Sequence, residues 1–198
     1  MLIIFSEDVI DVNILWDFDG TILDTYPVYT KLFKQVLNSD VDEQAIFVQL
    51  KISFQTAYAY FRMTPDQIRT FHQLIREYPS RGFKPFPSVE KVLVSADKNV
   101  IMTHNNRVDL VRILRQYGLE NYFAEMVTSD NGFPKKPDPA AYIYLDEYQG
   151  FDLAIGDRTL DIIPAKKLGK KTCLFQNDAP GADFYINSYD EFFDRVCL

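Results

Sequence analysis

The sequence predicts an α/β fold: a parallel sheet covered by helices, with a small all-helical insert after the first strand. Three observations carry that expectation. Short runs apolar on both faces recur along the chain, at Ile14-Leu15-Trp16, Asn99 to Met102, Met126-Val127, Leu153-Ala154-Ile155 and Thr172 to Phe175, with a weaker one at Phe184-Tyr185-Ile186. Such runs suit strands buried from both sides. Helical patterns separate the later runs, as right-handed βαβ units require. From about Tyr26 to Tyr78 the helical spacing continues with no clear strand.

Element by element, the chain opens on MLIIFSEDVID, which has no basic stretch and no small-residue cleavage site and so does not read as a signal peptide. Met1 to Val12 is either an extra edge strand or a leader into the first core strand. That strand ends in Asp17-Phe18-Asp19-Gly20-Thr21-Ile22-Leu23-Asp24. In the insert, Val28, Leu32 and Val36 share one helical face, and Phe54, Ala57, Tyr58 and Phe61 another. A further helix starts at Thr64, which can cap it; Pro65 suits the first turn, Gln67 completes a capping box, and Ile68, Phe71, Ile75 and Tyr78 line up. Most of the insert aromatics are expected to be core, with one or two left to line a substrate pocket, and His72 is expected to be a packing or surface residue rather than a ligand. Pro79 to Pro87 contains three prolines and a glycine and reads as the linker back. The expected domains are therefore residues 1-24 with 80-198 as the α/β core, and 25-79 as the helical insert. Beyond the linker, Val108, Val111 and Leu114 share a face closed by Gly118; Ala141 to Tyr148 forms another helix, and Leu160 to Leu168 a third, closed by Gly169.

Composition bounds the function. The 198 residues are 47% apolar and 25% charged, which is ordinary for a globular chain. A formal net charge of −7 argues against nucleic acid and anionic membranes as partners. No uncharged stretch approaches the roughly 18 residues that a membrane-spanning helix needs. Two cysteines, Cys173 and Cys197, without metal-ligand spacing fit a reducing cytoplasm.

The chemistry collects at strand ends, where open α/β sheets bind ligands. Asp17 and Asp19 follow the first strand. Two carboxylates so close need a cation between them or a proton on one. Taken alone they also suit a solvated turn. Thr103 then ends the second run, Lys135-Lys136-Pro137-Asp138-Pro139 follows the third, and Gly156-Asp157-Arg158-Thr159-Leu160-Asp161 follows the fourth. Each has a bland reading, Lys136 as a surface charge and Asp157 as a helix cap, but their coincidence at one sheet edge points to a site.

DFDGTILD, the Thr after an apolar strand, KPDP and GDRTLD, in that order, resemble the four motifs of the haloacid dehalogenase superfamily. The resemblance covers nearly the whole chain and includes a helical cap between the first and second motifs, as in phosphoglycolate phosphatase-like and β-phosphoglucomutase-like members. It implies a Rossmann-like core, a cap that closes over the site, and a small phosphorylated metabolite as substrate. It implies Asp17 as the nucleophile that forms an aspartyl phosphate, and Asp19 as general acid and then base. Mg²⁺ is implied as cofactor, held by Asp17, the Asp19 backbone carbonyl, Asp157 and Asp161. Thr103 is implied as a phosphoryl hydrogen-bond donor and Lys136 as the neutralising cation, with Lys135 as the alternative. Gly20, Thr21, His104 and Asn105 are implied around the substrate, with the imidazole of His104 incidental. The expected activity is Mg²⁺-dependent hydrolysis of a phosphomonoester. Sugar phosphomutase chemistry is the alternative, and a non-catalytic binding protein a remoter one. Asp19 favours phosphate esters over halides, since a halide leaving group needs no proton.

Overall fold

The computed structural model describes residues 10–197. In chain order the elements are β1 (Ile10–Trp16), β2 (Leu23–Asp24), α1 (Tyr26–Leu37), α2 (Glu43–Ile52), α3 (Phe54–Tyr60), α4 (Pro65–Glu77), β3 (Lys84–Pro85), α5 (Val89–Ser95), β4 (Ala96–Met102), α6 (Arg107–Gln116), β5 (Phe123–Val127), α7 (Ala140–Tyr148), β6 (Leu153–Gly156), α8 (Thr159–Lys167), β7 (Lys171–Phe175), β8 (Phe184–Ile186) and α9 (Phe192–Arg195). The expectation for Met1 to Val12 falls partly outside the described residues, which begin at position 10. From there the chain already belongs to β1. The described residues divide into two compact units, 10–23 with 85–197, and 24–84.

The first unit is an α/β core. Its six-stranded sheet has the order β5-β4-β1-β6-β7-β8, and every pairing is parallel. Ile14, Leu15 and Trp16 are all buried, so the carboxyl half of β1 is covered on both faces. Leu15, Val100, Met102, Val127 and Ala154 pack with Tyr142, Leu145 and Phe151 in one layer of core. Within the sheet the one polar side chain of β4 that is buried is satisfied: Asn99 Oδ1 accepts from Trp16 Nε1 at 2.8 Å, and its Nδ2 donates to the Leu93 carbonyl at 2.9 Å. A buried amide costs stability unless so paired.

Two of the core helices close through the same device. After α6, Leu119 N–H reaches the Leu114 carbonyl and Gly118 N–H that of Arg115; after α8, Lys170 N–H reaches Ala165 and Gly169 N–H reaches Lys166. Both are Schellman closures at the expected glycines. The face of α6 differs from expectation. Val108 is 77% exposed, while Leu110, Ile113 and Leu114 are buried. The two stripes share Leu114, and contact with the sheet rather than spacing selects between them.

The second unit is helical. Its helix α4 carries the complete capping box: Gln67 N–H donates to Thr64 Oγ1, and Thr64 N–H donates to Gln67 Oε1. Its core is aromatic, with Phe33 against Tyr58, Phe61 and Phe71 at centroid separations of 6.2, 5.5 and 5.2 Å. Tyr58 Oη lies 3.0 Å from His72 Nε2, so His72 packs within the bundle. The helix α2 was not expected. Its buried residues are only Ile46 and Leu50, behind an Asp42 cap, a stripe too thin to stand out in the sequence.

Candidate active site

Parallel strands put their carboxyl ends on one edge, and four of them deliver the side chains that the sequence singles out. Asp17 directly follows β1, and its N–H still bonds to the Ile155 carbonyl of β6 at 2.9 Å. Thr103 directly follows β4 and extends its ladder to Val127 of β5 at 2.9 Å. Asp157 follows β6. The backbone is thus held by the sheet up to the residues at the site, and only side chains remain to be ordered.

Asp17, Thr103, Lys136, Asp157 and Asp161 are all buried. Lys136 Nζ stands between two carboxylates, 2.6 Å from Asp17 Oδ1 and 2.9 Å from Asp161 Oδ1. Arg158 Nε approaches Asp157 Oδ1 and Asp161 Oδ2, each at 3.7 Å, and Arg158 N–H donates to Asp161 Oδ2 at 3.0 Å. Of the two adjacent lysines it is Lys136 that reaches the carboxylates; Lys135 is exposed. Gly156 is required for steric reasons: a Cβ there would lie 2.2 Å from Asp161 Cβ, so only glycine lets the first turn of α8 fold back on β6.

The charges perturb one another. Burial pushes the Asp17 carboxyl up to about 7; the Asp161 charge adds to this, and Lys136 and Arg158 offset part of it. For Asp161 burial also acts upward, but Lys136 and Arg158 outweigh it and hold the carboxyl below its ordinary value. Lys136 is raised: burial opposes its charge, and Asp161 and Asp17 more than restore it. A buried ammonium shared by two carboxylates is costly to break, because loss of one partner strands a charge.

One carboxylate oxygen from each of Asp17, Asp157 and Asp161 lies within 4.8 Å of the others. Hard oxygen donors of net negative charge fit a small divalent cation such as Mg²⁺.

The remaining predicted residues are also placed. Thr21 Oγ1 donates to Asp17 Oδ2 at 3.4 Å. The Gly20 N–H turns back to the Leu23 carbonyl at 2.7 Å, so it is engaged in the turn rather than aimed outward. Asp19 is half-buried, and its Oδ2 accepts from Asn105 Nδ2 at 2.8 Å. His104, expected to be incidental, accepts the Lys136 N–H on Nε2 at 3.1 Å. Burial and then the Lys136 charge push its pKa down to about 4, so it is the neutral acceptor this bond needs. Three supports were not foreseen. Arg158 sits inside GDRTLD and was legible there; Tyr142 donates to the Asp161 carbonyl at 2.8 Å and Asn177 Nδ2 to the Asp157 carbonyl at 2.8 Å. Neither Tyr142 nor Asn177 belongs to a motif, so no local signal marks them.

The family profile described as Haloacid dehalogenase-like hydrolase matches residues 14–175. The chain belongs to that family. Among curated haloacid dehalogenase-like relatives, a phosphoglycolate phosphatase of Neisseria meningitidis is 27% identical over 84% of this chain and 73% of its own length. A phosphorylated carbohydrates phosphatase of Thermotoga maritima is 26% identical over 68% of each chain. The fold is also that of solved members. A hydrolase from Streptococcus pneumoniae superposes with a TM-score of 0.62 at 28% identity, over 82% of this chain and 91% of the other. A subfamily IA hydrolase from Geobacter sulfurreducens gives 0.71 at 15% identity, over 93% and 99%. The α/β class and the superfamily resemblance are thereby borne out. Among the described residues no helix is long and apolar enough to cross a membrane.

Proposed function

We propose that this haloacid dehalogenase-like hydrolase is a Mg²⁺-dependent phosphatase acting on a small phosphomonoester through an aspartyl phosphate. The observation that carries the reading is the buried Asp17–Lys136–Asp161 array beside Asp157, with a second carboxyl, Asp19, two positions beyond Asp17. Phosphoryl transfer needs positioning and charge stabilisation more than covalent assistance from many groups.

In this reading Asp17 attacks phosphorus, the bond to the leaving oxygen breaks, and that oxygen takes its electron pair and the proton of Asp19. Asp19, now a carboxylate, accepts a proton from the water that attacks the aspartyl phosphate. The bond from phosphorus to Asp17 breaks, and phosphate and the free Asp17 carboxylate result. Lys136 holds the Asp17 oxygen in place and offsets the charge brought by the phosphoryl group. Thr103 donates its hydroxyl to a phosphoryl oxygen. When bound by Asp17, Asp157 and Asp161, Mg²⁺ supplies further positive charge for the equatorial oxygens.

The core is read as residues 1-24 and 80-198 and the cap as 25-79, with substrate choice assigned to the cap. The named relatives, phosphatases of phosphoglycolate and of phosphorylated carbohydrates, support small metabolites as the substrate class. A panel of phosphomonoesters assayed for released phosphate with and without Mg²⁺ tests the proposal. The expected result is Mg²⁺-dependent release from at least one small ester. No turnover across the panel, or isomerised sugar phosphate without free phosphate, overturns it.

A further inference from the structure

We propose that Asn105 is a positioning residue for the proton-transfer step, holding the Asp19 carboxyl in the direction from which it serves the leaving oxygen. The proposal rests on the reading of Asp19 as general acid. Sequence alone places Asn105 with the substrate contacts, but its amide nitrogen is engaged on Asp19 Oδ2 at 2.8 Å.

The amide is aimed by a backbone that cannot turn away. The N–H of Asn105 donates to Thr103 Oγ1 at 3.2 Å, and its carbonyl accepts from Ser129 N–H at 2.9 Å. The next residue, Asn106, caps α6: its Oδ1 accepts from Asp109 N–H at 2.9 Å, and its Nδ2 donates to Asp109 Oδ2 at 2.6 Å. Three consecutive anchors thus fix the segment between β4 and α6. Asp19 lies in a turn whose backbone is tied by Gly20 N–H to the Leu23 carbonyl at 2.7 Å and Leu23 N–H to the Phe18 carbonyl at 3.1 Å. The turn fixes the Cα of Asp19, and the amide fixes the rotation of its side chain.

The choice of partner separates the two motif carboxylates. Asp17 meets an ammonium at 2.6 Å, which suits a group that must attack as an anion. Asp19 has among its contacts the neutral amide of Asn105, a donor that sets direction. A carboxyl that only orients the proton matters when the leaving oxygen needs that proton, and an acidic phenolate leaves without it.

The test compares kcat/KM for p-nitrophenyl phosphate and for an alkyl phosphomonoester that the wild type hydrolyses, in Asp19→Asn, Asn105→Ala and Asn105→Asp, with Mg²⁺ present. Asp19→Asn sets the scale of the split between the two substrates. Asn105→Ala is expected to lose about 10-fold more on the alkyl ester than on the aryl ester, the usual size of losing a supporting hydrogen bond. Asn105→Asp, isosteric but repelling Asp19, is expected to split at least as widely, and it carries the comparison if Asn105→Ala does not fold. Equal losses on both esters for the Asn105 variants, with Asp19→Asn still discriminating, would overturn the positioning role and leave the phosphatase reading standing. Equal losses for Asp19→Asn itself remove the general acid, and the role of Asn105 with it.

Discussion

The two units of this chain are stabilised in opposite styles. Among the described residues, every buried charged side chain, Asp17, Lys136, Asp157 and Asp161, belongs to the α/β unit, whereas the buried polar residues of the helical unit are Thr25 and Thr30. The helical unit instead has aromatic rings in its interior, with Phe33, Phe54, Tyr58 and Phe71 in mutual contact. One unit therefore holds charges that fold at a cost and repay it in reactivity. The other has packed aromatic rings in its interior and, among the described residues, no buried charge.

The comparison is broken most severely at Asp17. Asp17→Asn is expected to lower phosphate release by roughly four orders of magnitude or more, as removal of a nucleophile does, while the circular dichroism spectrum stays that of a folded protein. In the helical unit the largest effect is on stability. Phe71 is fully buried, and Phe71→Ala should cost about 3–5 kcal/mol, read as a shift in the urea midpoint; a cost below about 1 kcal/mol would mean that the aromatic interior is not what holds this unit.

Metal linkage should separate the units next. Mg²⁺ at about 100 times its Kd should add about 2.7 kcal/mol to the stability of the wild type, seen as a rise in Tm, and Asp157→Ala should abolish the rise. The affinity should also depend on pH. The Asp17 carboxyl is raised from 3.8 to about 7, so below that pH the cation must displace a proton. Affinity should fall by up to about tenfold per pH unit as the pH drops below this value, and calorimetry in buffers of different ionisation heat should register proton release approaching one. An affinity flat down to about pH 5 would place the ion off Asp17. The smallest effect is local: Thr64→Ala breaks the capping box and should cost about 1 kcal/mol without altering Mg²⁺ binding.

Short-range chemistry was legible. The box at Thr64 and Gln67 and the glycine closures at Gly118 and Gly169 involve residues a few positions apart, so backbone geometry alone satisfies them. The strand ends were legible too, because Asp17 and Thr103 directly follow apolar runs, Asp157 lies one glycine beyond another, and Asp161 lies in the first turn of the next helix. Failures came where burial decides. Val108 and Leu110 are equally apolar and both fit a helical period with Leu114, and only contact with the sheet exposes the one and buries the other.

By itself the sequence determined the main strand runs and several of the helices around them, the four motifs, and hence the family and its class of chemistry. Tertiary structure decided which groups meet. Lys136 and Asp17 are 119 positions apart, and Asn105 and Asp19 are 86; both pairs exist because parallel pairing sets β5, β4 and β1 side by side with their carboxyl ends together. Burial at that edge raises Asp17, whereas Lys136 and Arg158 outweigh burial and lower Asp161. Two residues of one type acquire different proton affinities because desolvation and neighbouring charge are properties of position, not of residue type.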